Sequence, residues 1–219
     1  KETFRFDLHS VIQDPDEEID ATQEAENMLA AEHAHKRLMM RDGPVDLKTV
    51  TRVANNHFQK WQIEELNELD MTNSRLGSDG TMVMARKFSE AGVCNLASLC
   101  FGGNHTSETG AIGLLNAVVE GGGSTHLKEL DLHGNMLTMV SEGFLVINKF
   151  VNLTYLDLHA NHIAIDNIRH MSLLVDSLEP LKKLKYLNLA ENRLQNMGFG
   201  ALINNVLPGM LDLEALDLS

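Results

Sequence analysis

LKELDLHGNML at 127–137, LTYLDLHANHI at 153–163 and LKYLNLAENRL at 184–194 are three copies of one frame, L-x-x-L-x-L-x-x-N-x-L. Weaker copies stand in register before them, LNELDMTNSRL from Leu66 and LASLCFGGNHT from Leu96, and another begins at Leu213. Frame starts at Leu66, Leu96, Leu127, Leu153, Leu184 and Leu213 are 30, 31, 26, 31 and 29 residues apart. Alternate side chains of a strand face opposite sides, so the fourth and sixth positions are expected in the core and the third, fifth and seventh outside. The ninth position, where the chain turns, carries Asn104, Asn135, Asn161 and Asn192. An amide there can satisfy buried backbone groups of its own and the next copy, a structural ladder rather than a ligand site. Ser74 takes that place in the first copy and suggests a looser edge.

Each frame leads into a segment that reads as helix. GSDGTMVMARKFSEAG is expected to be helical from Asp79 to a stop at Gly92, and SETGAIGLLNAVVEGGG puts Ile112, Leu115 and Val119 on one face before three glycines end it. SEGFLVINKF at 141–150 and MGFGALINNVLPG at 197–209 read the same way. A glycine recurs six residues beyond the ninth position at Gly80, Gly110 and Gly198. Strand, turn and helix in regular succession predict an α/β fold, a right-handed βα solenoid with parallel strands on a concave face and helices on the convex one.

The long period, the glycine after the asparagine and the full helix resemble the ribonuclease-inhibitor-like subfamily of leucine-rich repeat proteins. The resemblance covers about residues 63–219, as five repeats and the start of a sixth. It implies a fold more than a function, because inhibitors, sensors, GTPase activators and structural subunits share it.

Residues 1–62 lie outside the frame. Seven acidic and no basic residues occupy 14–26, read as a solvated arm within 1–45, with one helix from Asp20 that includes Ala25, Met28, Leu29 and Met39 and ends at Asp42-Gly43-Pro44. Residues 46–62, with Leu47, Val50, Ala54, Phe58 and Trp61 on one side, read as the helix that caps the first repeat; Trp61 exposed for binding is the alternative. An opening on Lys1 and a stop inside the sixth strand suggest a processed or partial chain, with more repeats or a partner completing the stack.

The register turns the outward positions into a list. The third carries Glu68, Ser98, Glu129, Tyr155, Tyr186 and Ala215; the fifth Asp70, Cys100, Asp131, Asp157, Asn188 and Asp217; the seventh Thr72, Gly102, His133, His159, Ala190 and Ser219. Glu68, Asp70, Glu129, Asp131, His133, Tyr155, Asp157, His159, Tyr186, Asn188 and Asp217 are therefore the candidate concave-face residues for a basic protein surface. The competing reading makes Asp at the fifth position an aid to solubility and puts binding on the convex helices or the ends. Asp131, His133, Asp157 and His159 could form a zinc or pH-sensitive cluster, but flat neighbouring strands rarely converge on a tetrahedron, so no metal is expected. His33 and His35, two apart on a helix, point to different faces.

Composition narrows the classes. The formal net charge of −13 disfavours nucleic acid. Two cysteines, Cys94 and Cys100, make neither a disulfide framework nor a zinc motif. No apolar run spans a bilayer, and Asn104, one of two glycosylation sequons, reads as buried, so the expected setting is cytoplasmic (a cytoskeletal, ciliary or organellar one included) and not secreted. No nucleophile elbow, phosphate loop or zinc-protease motif occurs, and a Cys100–His133 pair would lack an oxyanion hole. Arg75 and Arg193, at strand-to-helix edges, are the residues a GTPase activator would use. A non-catalytic protein–protein interaction module without cofactor is the expectation, as a scaffold subunit of a larger complex or as a regulatory recognition module.

Overall fold

Three-residue strands recur wherever an L-x-L core of the frame occurs, because a leucine on either side of one outward residue buries one edge of an extended segment. The computed structural model describes residues 5–6, 37–40, 51, 66–93 and 95–219. In chain order these form β1 (Arg5–Phe6), β2 (Arg37–Met40), β3 (Glu68–Asp70), α1 (Gly77–Ala91), β4 (Ser98–Cys100), α2 (Glu108–Glu120), β5 (Glu129–Asp131), a 3-10 helix (Glu142–Lys149), β6 (Tyr155–Asp157), α3 (Ile168–Leu178), β7 (Tyr186–Asn188), α4 (Gln195–Ala201) and β8 (Ala215–Asp217). All eight strands are parallel and stand in sequence order in one sheet. From β3 onward helices alternate with strands, an α/β arrangement compatible with a βα solenoid.

The register is the frame itself. Leu69, Leu99, Leu130, Leu156, Leu187 and Leu216 are successive partners, although the loops between them differ in length by up to five residues. The first five of these leucines are fully buried, as are Leu96, Leu127, Leu153 and Leu184 at the first position. Each such side chain contributes about 1.5–3 kcal/mol by leaving water, so slipping one strand by a residue would expose a whole layer.

Between strand and helix the backbone turns left-handed at the eighth position every time: Asn73, Gly103, Gly134, Ala160 and Glu191 have φ between 51° and 66°. Glycine fits this naturally, and Ala160 and Glu191 adopt it at a cost. α3 starts from an Asn167 whose side chain accepts from the His170 amide at 2.9 Å, the expected chemistry of a helix cap.

Three expectations need correction. Arg37–Met40, assigned to a helix through Met39, is a strand: Leu38 pairs with Leu69 and Met39 with Asp70, so Leu38-x-Met40 takes the place of a leucine pair in the frame. Arg5–Phe6, within the stretch read as a solvated arm with one helix, joins the sheet beyond it. The 141–150 segment forms a 3-10 helix over Glu142–Lys149, where the frame spacing contracts to 26 residues. A 3-10 helix rises about 2.0 Å per residue against about 1.5 Å for α, so fewer residues cover the same span. At 197–209 the helix loosens in the other direction, α4 passing into a π turn at Leu202–Val206. The helix from Asp20, the acidic run at 14–26, His33 and His35, Cys94 and the capping helix with Trp61 lie outside the described residues, apart from a helical Thr51.

Candidate functional site

The frame brings eighteen outward positions, three from each of β3–β8 and their ends, onto one face of the sheet. Six of them are Asp or Glu and none is Lys or Arg. The three columns behave differently.

At the fifth position the carboxylates turn back on their own chain. Oδ1 of Asp70, Asp131, Asp157, Asn188 and Asp217 accepts from the backbone N–H two residues on, at Thr72, His133, His159, Ala190 and Ser219, over 2.9–3.1 Å. These Asx turns close each strand before the left-handed residue. The column was expected to be outward; instead Asp70, Asp157 and Asn188 are buried, Asp157 between Tyr155 and His159, both of which hydrogen-bond to it. Cys100 is the exception in the column. Burial pushes its thiol up, with the Asp70, Asp131 and Glu129 charges adding to this against a Ser98 hydrogen bond, to about 11. A thiol so protonated is a poor nucleophile.

At the seventh position the imidazoles of His133 and His159 stack, centroids 4.7 Å apart and planes 11° from parallel. Each Nδ1 lies 2.7 Å from the carboxylate of its own strand, Asp131 or Asp157. The hydrogen bond to Asp131 raises the His133 pKa, burial opposing it. A Cβ on Gly102 would stand 2.0 Å from the His133 ring, so the missing side chain makes the space that ring occupies. Stacked rings with their near nitrogens spent on separate carboxylates do not converge, and no group of three or more possible metal ligands occurs among the described residues.

At the third position Tyr155 and Tyr186 stack at 4.4 Å and 3°. The pair is pinned from below: the Tyr155 hydroxyl donates to Asp157 at 3.4 Å, and Asn188 Nδ2 donates to the Tyr186 oxygen at 3.2 Å and to Asp157 Oδ2 at 3.3 Å. Burial, then the Asp157 charge, raises the Tyr155 pKa, so the phenol stays neutral. On the flanking strands Glu129 is exposed and Ala215 is small.

Beneath the turns runs the asparagine ladder. Asn135, fully buried, donates from Nδ2 to the carbonyls of Phe101, Leu132 and His133, while its Oδ1 accepts from the amides of Asn104 and Thr106. Asn104, Asn161 and Asn192 repeat the pattern. Each amide spans its own unit and the preceding one, the reverse of the direction expected. The Asn104 nitrogen is thus fully engaged, which leaves no place for a glycan. Sequence reasoning missed Glu108, whose carboxylate receives the hydroxyls and amides of Thr138 and Ser141. Burial works against its charge, and those four donors more than offset it, holding its pKa below the ordinary value.

Arg75 and Arg193 sit exposed at the turns, where Arg193 joins a backbone bridge to Ala164. No helix among the described residues is long and apolar enough to cross a membrane. Compared with models of known protein families the chain matches none, and no curated protein sequence matches it either.

Proposed function

We propose that this chain is a non-catalytic protein-binding module, a leucine-rich repeat solenoid of the ribonuclease-inhibitor-like kind, that takes a basic protein surface on the open, concave face of its sheet. One observation carries the reading: among eighteen outward positions there are six carboxyl side chains, no lysine or arginine, and a rigid pair of stacked tyrosines. Such a face repels acidic partners and offers aromatic area whose rotamers are already fixed, so little entropy is lost on binding. The Cys100 thiol on this face is held protonated by burial, which supports the non-catalytic reading.

A scaffold subunit of a cytoplasmic assembly and a regulatory module both fit this description, and the face separates them. Reversing the charge of Asp131 or Asp157 would also break the turns they close. The better variant is Asp131→Asn with Asp217→Asn and Glu129→Gln, since Asn188 already makes the same turn as an amide and Asp157 is left to hold Tyr155. Quantitative affinity capture from cells should show the partner of a concave recognition module lost in this triple variant. Retention of every partner at the wild-type level would refute binding through this face and leave the scaffold gripped by its helices or ends.

A further inference from the structure

Taking the protein-binding reading as its premise, we propose that Tyr155 and Glu129 form a socket for one arginine side chain of the bound protein, its guanidinium flat on Tyr155 and paired with the Glu129 carboxylate. Stacked rings on adjacent strands face along the sheet, so one face of Tyr155 is covered by Tyr186 and the other is turned toward β5. The residue paired with Tyr155 on β5 is Glu129, across a strand spacing of about 4.8 Å. Glu129 is exposed and enters no hydrogen bond or ion pair among the described residues. The carboxylates of Asp70, Asp131, Asp157 and Asp217 each close a turn of their own strand, a task Glu129 does not have, so it is open to an incoming cation.

The chemistry selects the guanidinium. It is planar, stacks on a ring and offers a carboxylate two parallel donors, whereas an ammonium is a strongly hydrated point charge. The socket is also organised beforehand. Hydrogen bonds to Asp157 and Asn188 hold the two phenols in place, and Ser98, the small residue on the far side of Glu129, leaves the carboxylate room to swing onto the ligand. The His133–His159 stack offers no second such place, since His133 lies over Gly102 and both rings are held by their own carboxylates.

The chain contains two tyrosines, so ring-labelled protein gives two resolved sets of NMR signals. The probes are three octapeptides alternating glycine with arginine, lysine or citrulline, titrated at low salt. The expected result is that the arginine peptide moves the Tyr155 signals and binds about threefold or more tighter than the lysine peptide, with citrulline weakest. Glu129→Gln, at an exposed site that cannot affect folding much, should weaken the arginine peptide about threefold, and Tyr155→Leu should abolish the preference for arginine over lysine. Equal affinities for the arginine and lysine peptides, or an arginine preference that survives Tyr155→Leu, overturn the socket. If Asp131→Asn and Asp217→Asn still weaken both cationic peptides in that case, the acidic-face reading stands without it. If neither cationic peptide binds better than citrulline, both readings fall.

Discussion

Replacing Asn135 by alanine removes one side chain from a fully buried site and leaves two backbone N–H groups, of Asn104 and Thr106, without their acceptor. A buried donor left unpaired costs about 1–3 kcal/mol, and the carbonyls of Leu132 and His133 lose a donor as well. The expected loss is about 3–5 kcal/mol, a large part of the stability of an ordinary domain. Asn192 provides the internal control. It is half-buried, its Oδ1 holds one amide, of Ile163, and water can replace what alanine removes. Asn192→Ala should therefore cost about 1–2 kcal/mol. Urea unfolding followed by far-ultraviolet circular dichroism gives both numbers, provided the slope is the same in the two variants, because stacked units can unfold in parts. Amide hydrogen exchange supplies a second readout: in Asn135→Ala the Asn104 and Thr106 amides should lose protection before any others. Equal losses below about 1 kcal/mol in both variants, with those two amides still protected, would refute the view that the ladder acts by satisfying buried donors.

Ala160 sits at φ 51° where the preceding unit has Gly134 at φ 60°; Ala160→Gly should stabilise by about 0.5–1 kcal/mol in the same denaturation assay, and a loss would show the strain to be negligible. The His133 pKa lies above its ordinary 6.5, so its contribution is fully present below about pH 6.5 and is lost as pH rises through the folded value. Wild-type stability should decline over that window, His133→Gln should flatten the decline, and Gly102→Ala, by displacing the ring, should reduce it. For Glu108 the sign is opposite: its lowered pKa contributes stability above the ordinary 4.5 that is lost as pH falls through the folded value. Glu108→Gln should cost about 1 kcal/mol at neutral pH and progressively less in acid; a constant difference across the titration would show that the charge is irrelevant.

The strands from β3 to β8 were legible because the fourth and sixth positions of each copy carry large apolar side chains, buried from β3 through β7. At Arg37–Met40 the leucine signature is gone, and the helical spacing of Met28, Leu29 and Met39 competes with the strand alternation. Helix type was not legible for 142–149, since the choice depends on the distance to the next strand and not on local propensity. The outward columns were read in the right register, but not their burial. That depends on neighbours: Asp157 is covered because Tyr155 and His159 flank it, and Asp217, of the same type and position, is exposed. A signal for the turns was present in Asp-Met-Thr, Asp-Leu-His and Asp-Leu-Ser, each an Asx residue followed two later by the amide it receives. Glu108 carried no such signal, as its partners lie 30 and 33 residues away.

The acidity of the open face therefore has two sources that must be separated before charge is taken as evidence of a partner. The fifth-position carboxylates exist to end strands, and Asn188 shows that an amide does this equally well. Their charge is then not required by the turn, yet four of the five residues that make it are Asp rather than Asn. Asp70 and Asp157 are nevertheless buried, and a buried carboxyl group gives up hydration that only hydrogen bonds can replace. At Asp157 the second carboxylate oxygen has its own task, since it accepts from the Tyr155 hydroxyl and from Asn188 Nδ2, which an amide nitrogen could not do. The third position has no turn to close, and there the charge of Glu129 stands exposed beside a fixed aromatic pair. Function is thus better sought in the third column than in the more conspicuous fifth. A partner's cation would meet Glu129 and Tyr155 directly and feel the buried Asp157 only through the ring it holds in place.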